Sequence, residues 1–276
     1  MGKRNILKNY INDVKQYTKI NGGIAGFKYA IEEIRPYNRI KEEFVRNLKK
    51  FPHKIIRPSL FEISVKSNII ISSTEEIVGQ ILPAAALDSL KIEFDKAITE
   101  YKGLLKTLSI KYEFSHVSNM ALFLYYVIRI KKPEFVIETG VATGQTSFFI
   151  LKAMNENNFG KLFSTDIRYD AGEIVPDYLK NRWDFTVLKR DSKKSFEKFI
   201  NNFDKIDIFF HDSDHSYWWQ TLEYNIAFNH IKKDGLLISD DIDNSYAFLD
   251  FVNKNKMDFY SFFNGGSIGG VIINRK

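Results

Sequence analysis

The chain has 276 residues, 44% of them hydrophobic and 27% charged, with 40 Lys and Arg against 34 Asp and Glu and no cysteine. This is the composition of a soluble globular protein; it excludes a disulfide scaffold and thiolate chemistry and fits a reducing, cytoplasmic setting. The basic start has no apolar h-region, and the longest apolar run, Ala121–Ile130, carries Arg129 and is too short to span a bilayer, so neither a secretory signal nor a transmembrane segment is expected.

The positive excess is uneven. Residues 1–60 hold 14 basic against 5 acidic side chains, while residues 116–276 are balanced at 20 against 21. The basic residues alternate with apolar ones at helical spacing, which reads as a solvated helical surface; steering of an anionic partner is the alternative. Residues 3–50 read as helices broken at Asn21–Gly23 and Arg35–Pro36, Phe51–Pro58 as a connector, and Leu60–Ile71 as an extended segment. Ser73-Thr74-Glu75-Glu76 has the grammar of a helix start, and a long amphipathic helix is expected over Ala84–Leu108. Residues 1–115 thus form a mostly helical N-terminal region, for which a lid or an oligomerisation role, pairing the protein with itself, is expected.

From His116 the pattern changes. An apolar helix over Ser118–Ile130 ends at Lys131-Lys132-Pro133, and Phe135–Thr139 reads as a buried strand leading into Gly140-Val141-Ala142-Thr143-Gly144 and a helix from Gln145 to about Asn157. Lys161–Thr165 is a second strand ending in Asp166, and Phe185–Lys189 a third ending in Asp191. Ile206–Phe210 and Leu236–Ser239 are a fourth and fifth, separated by a stretch long enough for a crossover helix that closes at Lys232-Lys233-Asp234-Gly235. After a helix near Ser245–Asn255, Phe259–Phe263 and Val271–Ile273 are joined by too short a loop for a crossover, so that pair must be antiparallel. The expected fold is α/β: five parallel strands with helices, closed by a C-terminal antiparallel hairpin.

Ligands of open α/β sheets gather at the carboxyl ends of the strands, and right-handed crossovers bring those ends to one edge. Gly140 and Gly144 let a ligand approach bare backbone at a helix N-terminus, and Asp166, 22 residues beyond Gly144, is placed to accept hydrogen bonds from ribose hydroxyls. The fourth strand ends in Asp212 and Asp214, the fifth in Asp240, Asp241 and Asp243; such converging carboxylates repel one another unless a cation sits among them. Helix capping by single acids is the plainer reading of Asp214 and Asp243, but it does not explain the Asp240-Asp241 pair.

This order of elements resembles the class I S-adenosylmethionine-dependent methyltransferases, whose Rossmann-like fold the resemblance implies for residues 116–276. Glu138-Thr139-Gly140-Val141-Ala142-Thr143-Gly144 matches the acidic-x-Gly-x-x-x-Gly motif, with Ala142 where a central Gly is usual. The resemblance implies S-adenosylmethionine as cofactor, Glu138 near its methionine end, and Asp191 with Ser192 near its adenine. His211-Asp212-Ser213-Asp214-His215-Ser216-Tyr217 and Ser239-Asp240-Asp241 look like the metal-dependent O-methyltransferases of the catechol, caffeoyl-CoA and sugar groups. Carried over by position, that implies Asp212, Asp240 and Asp241 as ligands of a divalent metal, Mg²⁺ above all, with Asp214 as base and His215 as its alternative. A Lys placed here in the caffeoyl-CoA group is missing. Tyr217, Trp218 and Trp219 read first as packing residues, with an aromatic wall as the functional alternative.

The expected function is metal-dependent O-methyl transfer to a hydroxyl of a small molecule or sugar. The rivals are a metal-independent methyltransferase acting on nitrogen or a macromolecule, and a non-catalytic S-adenosylmethionine- or nucleotide-binding module. An Asn/Asp-Pro-Pro-Tyr/Phe signature does not follow the fourth strand, which argues against a nucleic-acid substrate.

Overall fold

A computed structural model describes residues 58, 63, 73–82, 87–108, 116–190 and 192–276. The chain divides into two compact units, Met1–Lys54 and Ile55–Lys276, and the first lies wholly outside the described residues, with the helices expected over 3–50. Of the segment expected to be extended, Leu60–Ile71, only Ile63 is described; it is helical and buried.

Helix α1, Thr74–Ile81, starts as its sequence dictates. Ser73 accepts a hydrogen bond from the Glu76 amide while the Glu76 carboxylate accepts from the Ser73 amide, a reciprocal capping box. Helix α2 spans Leu87–Thr107 and α3 spans Asn119–Lys131, capped by Ser118 Oγ on the Ala121 amide. Then follow β1 (Phe135–Thr139), α4 (Gln145–Asn157), β2 (Lys161–Asp166), β3 (Trp183–Val187), α5 (Lys193–Ile200), β4 (Ile206–His211), α6 (Tyr217–Ala227), β5 (Ile231–Ser239), α7 (Ala247–Asn255), β6 (Tyr260–Phe263) and β7 (Ile268–Ile273). Among the described residues no helix is long and apolar enough to cross a membrane.

The seven strands form one sheet in the order β3-β2-β1-β4-β5-β7-β6. β1 to β5 pair in parallel, while β7 runs antiparallel to both β5 and β6 and lies between them. The expected Rossmann-like sheet and its closing hairpin are both present. Successive residues of the central strands serve opposite faces. Val136, Ile208, Phe210 and Leu236 pack into one core with α1 to α4, whereas Ile137, Phe209 and Leu237 pack into a second with α5 to α7. Both faces are dry, which is why these strands read as unbroken apolar runs. Helix α2, from the N-terminal region, contributes Phe94 and Tyr101, whose rings lie 4.9 Å and 5.4 Å from Phe149 of α4.

Three boundaries depart from the sequence reading. β3 begins two residues before Phe185, because Trp183 pairs with Leu162 and its indole N–H reaches Ser164 Oγ at 2.9 Å. β3 is the sheet edge and only half-buried at best, so its apolar alternation is faint. Lys232–Gly235 does not close a helix: α6 ends at Ala227, a 3-10 turn covers Phe228–His230, and β5 already begins at Ile231, with irregular pairing against β4. The left-handed residue there is Asp234, at φ +60°, and not Gly235. Gly235 is needed for space, since a Cβ on it would lie 2.6 Å from Ile231 Cγ2 and 2.9 Å from the Asp207 carbonyl oxygen. β7 begins at Ile268, so the hairpin loop is shorter than the expected Asn264–Gly270.

Candidate functional site

The carboxyl ends of β1, β2 and β4 surround a cavity of about 440 Å³, within the range of small-molecule and cofactor sites. One side is the turn after β1. Gly140 sits at φ +83° and Gly144 at φ +95°, a region open to glycine and costly for other residues. Gly140 is required twice over, because a Cβ there would stand 2.0 Å from the Asp212 carbonyl oxygen. The chain leaving β1 therefore touches the chain leaving β4. Ala142 is also left-handed, at φ +48°, which costs roughly 1–2 kcal/mol for a residue with a Cβ and accounts for the Gly usual at that place. Asp166, at the end of β2, offsets the strain. Its Oδ2 accepts from the Val141 and Ala142 amides, both at 2.9 Å, and its Oδ1 from the Arg168 amide at 2.9 Å. Asp166 lines the cavity, and of a carboxylate's roughly four lone-pair directions about one remains for a ligand.

Glu138 backs the same turn from inside. It is fully buried; Oε1 accepts from Thr146 Oγ1 at 2.6 Å, and Oε2 from Ser147 Oγ at 2.5 Å and Ser164 Oγ at 2.7 Å. Burial pushes its carboxyl above the ordinary range, against the pull of those three hydroxyls. Glu138, expected at the methionine end of a cofactor, ties β1 to α4 and β2 through these bonds and is not among the residues that line the cavity.

The other side carries the acids. His215 Nε2 lies 3.6 Å from Asp212 Oδ1 and 3.7 Å from Asp241 Oδ2, between the two carboxylates. Asp241 is left-handed at φ +49°, and Asn244 Nδ2 donates to its Oδ2 at 3.3 Å. Asp240 faces the hairpin: its Oδ1 accepts from the Asp241 amide at 2.8 Å, Asn264 Nδ2 at 3.0 Å and Ser267 Oγ at 3.3 Å. Burial, then the charge of Asp241, raises Asp240 to about 6. Burial and the charges of Asp240, Glu138 and Asp241 hold Asp212 well above the usual carboxylate range. His215 is lowered by burial and by His211, against the charges of Asp241, Asp214 and Glu223. The three acids expected to bind a metal are thus crowded at one strand edge. They do not close into a ligand set, since among the described residues no three His, Cys, Asp or Glu groups converge to hold an ion.

Comparison with known proteins follows this geometry. Residues 137–242 match the family model of a methyltransferase domain. By this match residues 137–242 are a methyltransferase domain. An O-methyltransferase from Bacillus cereus, solved in complex with S-adenosylhomocysteine (SAH), is similar at 11% identity and a TM-score of 0.50, over 73% of this chain and 96% of that one. The O-methyltransferase TomG from Streptomyces achromogenes, involved in tomaymycin synthesis and solved with S-adenosylmethionine, is similar at 8% identity and a TM-score of 0.51, over 75% and 97%. At these identities the likeness is one of fold. Among curated proteins no match was found.

In this methyltransferase domain Gly140, Asp166, Asp212 and Asp214 all reach the cavity. Gly144 caps α4, and Ser192 caps α5 by accepting from the Ser195 amide at 3.2 Å. Asp191 lies outside the described residues. Asp214 is exposed and its Oδ1 accepts from the Ser216 amide at 2.8 Å, the local turn that starts α6. Asp243, read as a helix cap, accepts from the Ile268 amide at 3.0 Å, while α7 has no side-chain cap. Trp219, for which an aromatic wall was the alternative to packing, lines the cavity, as do Lys189, Arg190 and Glu223, which were not singled out from sequence. The four-residue spacing of Trp219 and Glu223, which puts them on one helix face, is the signal that could have paired them.

Proposed function

We propose that this methyltransferase transfers the S-adenosylmethionine methyl group to a hydroxyl of a small molecule or sugar, with His215 taking the hydroxyl proton. The observation that carries the proposal is His215 Nε2 placed between Asp241 and Asp212, the residue whose backbone meets the turn at Gly140. A hydroxyl oxygen is a weak nucleophile until its proton leaves. As its lone pair forms the bond to the methyl carbon, the carbon–sulfur bond breaks toward sulfur, giving SAH, and the proton passes to His215. The imidazolium so formed lies between two carboxylates that stabilise it. Asp214, the other base expected from the sequence, is committed by one oxygen to the Ser216 amide.

The resemblance also implies a divalent cation on Asp212, Asp240 and Asp241. Asp240 Oδ1 is taken by three donors, so its Oδ2, with Asp212 and Asp241, would hold such an ion, which would lower the pKa of a bound hydroxyl; no step of this mechanism passes through it. The test is an acceptor screen with methyl-labelled S-adenosylmethionine, run in EDTA and again with Mg²⁺. Transfer to hydroxylated acceptors in EDTA, lost in His215→Asn, is expected. Activity that appears only with Mg²⁺ would mean that the three acids close on a cation when it is supplied. Transfer to amines alone would overturn the oxygen assignment.

A further inference from the structure

The cavity lining has one aromatic side chain, Trp219, and its indole N–H is held by two other lining residues. Trp219 Nε1–H donates to Glu223 Oε1 at 2.6 Å and lies 3.1 Å from Ser213 Oγ. The polar edge of the indole is therefore satisfied within the protein, and what Trp219 has left to offer a ligand is apolar ring surface. Phe196 backs it, with ring centroids 6.3 Å apart. Its neighbour Trp218 is 58% exposed and is not part of the cavity lining, so the two adjacent indoles are not equivalent.

Glu223 does more than hold the indole. It is 1% exposed, and its second oxygen accepts from Thr139 Oγ1 at 2.6 Å and lies 2.7 Å from His211 Nδ1. Ser213 Oγ also donates to its first oxygen, at 3.0 Å. One carboxylate thus gathers the last residue of β1, the last residue of β4, the loop that follows β4 and the first turn of α6. Those are the elements whose close approach at Gly140 and Asp212 shapes the cavity mouth.

We infer that Trp219 is a cofactor contact, an aromatic wall for S-adenosylmethionine, and that Glu223 is the positioning residue that sets this wall relative to the glycine turn. The inference rests on the cavity being the cofactor site, and it names two residues outside the glycine motif and the acidic cluster. An aromatic face suits both the flat base and the sulfonium of this cofactor, through stacking and through cation–π attraction. A carboxylate saturated by four donors resists displacement, since any movement would strand buried polar groups.

The test uses SAH with the full-length protein, followed by calorimetry and by tryptophan fluorescence; the chain has three tryptophans, Trp183, Trp218 and Trp219. SAH is expected to quench the wild type and Trp218→Phe alike, and the quench is expected to be lost in Trp219→Phe. Trp219→Leu is expected to weaken SAH binding about tenfold with little change in melting temperature, the scale of a base–aromatic stacking contact. Glu223→Gln keeps an oxygen for the indole and is expected to bind SAH within about threefold of wild type, whereas Glu223→Ala, should it fold, loses about tenfold. A full quench in Trp219→Phe, or wild-type affinity in Trp219→Leu, would overturn the inference while leaving the cofactor site intact. An absence of SAH binding heat in the wild type would instead overturn the cofactor reading on which it stands.

Discussion

The two sides of the cavity are built on opposite principles. On the β1–β2 side almost every polar group is spoken for: Glu138 receives three hydroxyls, Asp166 receives three amides, and glycine supplies the dihedral angles that a side chain would strain. On the β4–β5 side charge is left crowded. Asp212 and Asp240 are both held above their ordinary range, Asp241 sits in a left-handed conformation, and two buried ring nitrogens, His211 Nε2 and His215 Nδ1, have no hydrogen-bond partner. A saturated frame suits a group that must be bound in one place. Unsettled charge is what a reacting group needs, because chemistry changes protonation and a fully satisfied network resists such change.

The contrast yields predictions of decreasing size. Gly140→Ala attacks the frame where the two sides touch. With a Cβ at 2.0 Å from the Asp212 carbonyl and a left-handed backbone, SAH binding measured by calorimetry is expected to vanish, with a lowered melting temperature. His215→Asn attacks only the unsettled side, so methyl transfer to an acceptor found in the screen is expected to fall by roughly 10²–10⁴-fold, while SAH affinity stays within about twofold.

Asp240→Asn tests the crowding itself. The folded-state pKa of Asp240, about 6, lies above that of an unfolded Asp, so the folded protein holds this proton more tightly. Its contribution to stability is therefore present at acid pH and is lost as pH rises from about 4 through 6. The Asn variant lacks that loss, and its melting temperature relative to wild type is expected to be higher by about 2–4 °C at pH 7.5 than at pH 4, by scanning calorimetry. An offset that does not change with pH would show that Asp240 is not crowded. The smallest effect is expected at Glu138→Gln. The three hydroxyls around it can rotate to accept from an amide, so the cost is expected to be about 1 kcal/mol by urea unfolding, with SAH affinity unchanged.

Much of this was legible in the chain. β1 and α4 fall where the apolar run, the Gly140 turn and the helical spacing place them, because both lie in the interior, where burial and periodicity say the same thing. The edge strand β3 and the bulged start of β5 were misplaced for the converse reason. An exposed edge has little apolar alternation, and Lys232–Gly235 carries the letters of a helix stop while its backbone continues a strand. The acids at the ends of β4 and β5 were found from sequence, but their hydrogen-bond partners were not. Asp240 read as a ligand equal to Asp212 and Asp241, and Asp214 as a base ahead of His215, with no sign of the hydrogen bonds to Asn264, Ser267 and Ser216 that hold them.

By itself, then, the sequence determined the α/β class, the parallel run with its closing hairpin, the glycine turn and the strand edge where chemistry gathers, because these follow from local periodicity and from what glycine permits. Tertiary structure alone decided that Glu138 serves the site from within the core, that His215 lies between two carboxylates, and that Glu223, 84 residues beyond Thr139, joins two strand ends to an indole. Those facts depend on long-range approach and on the direction of individual oxygens, for which no spacing along the chain is a signal.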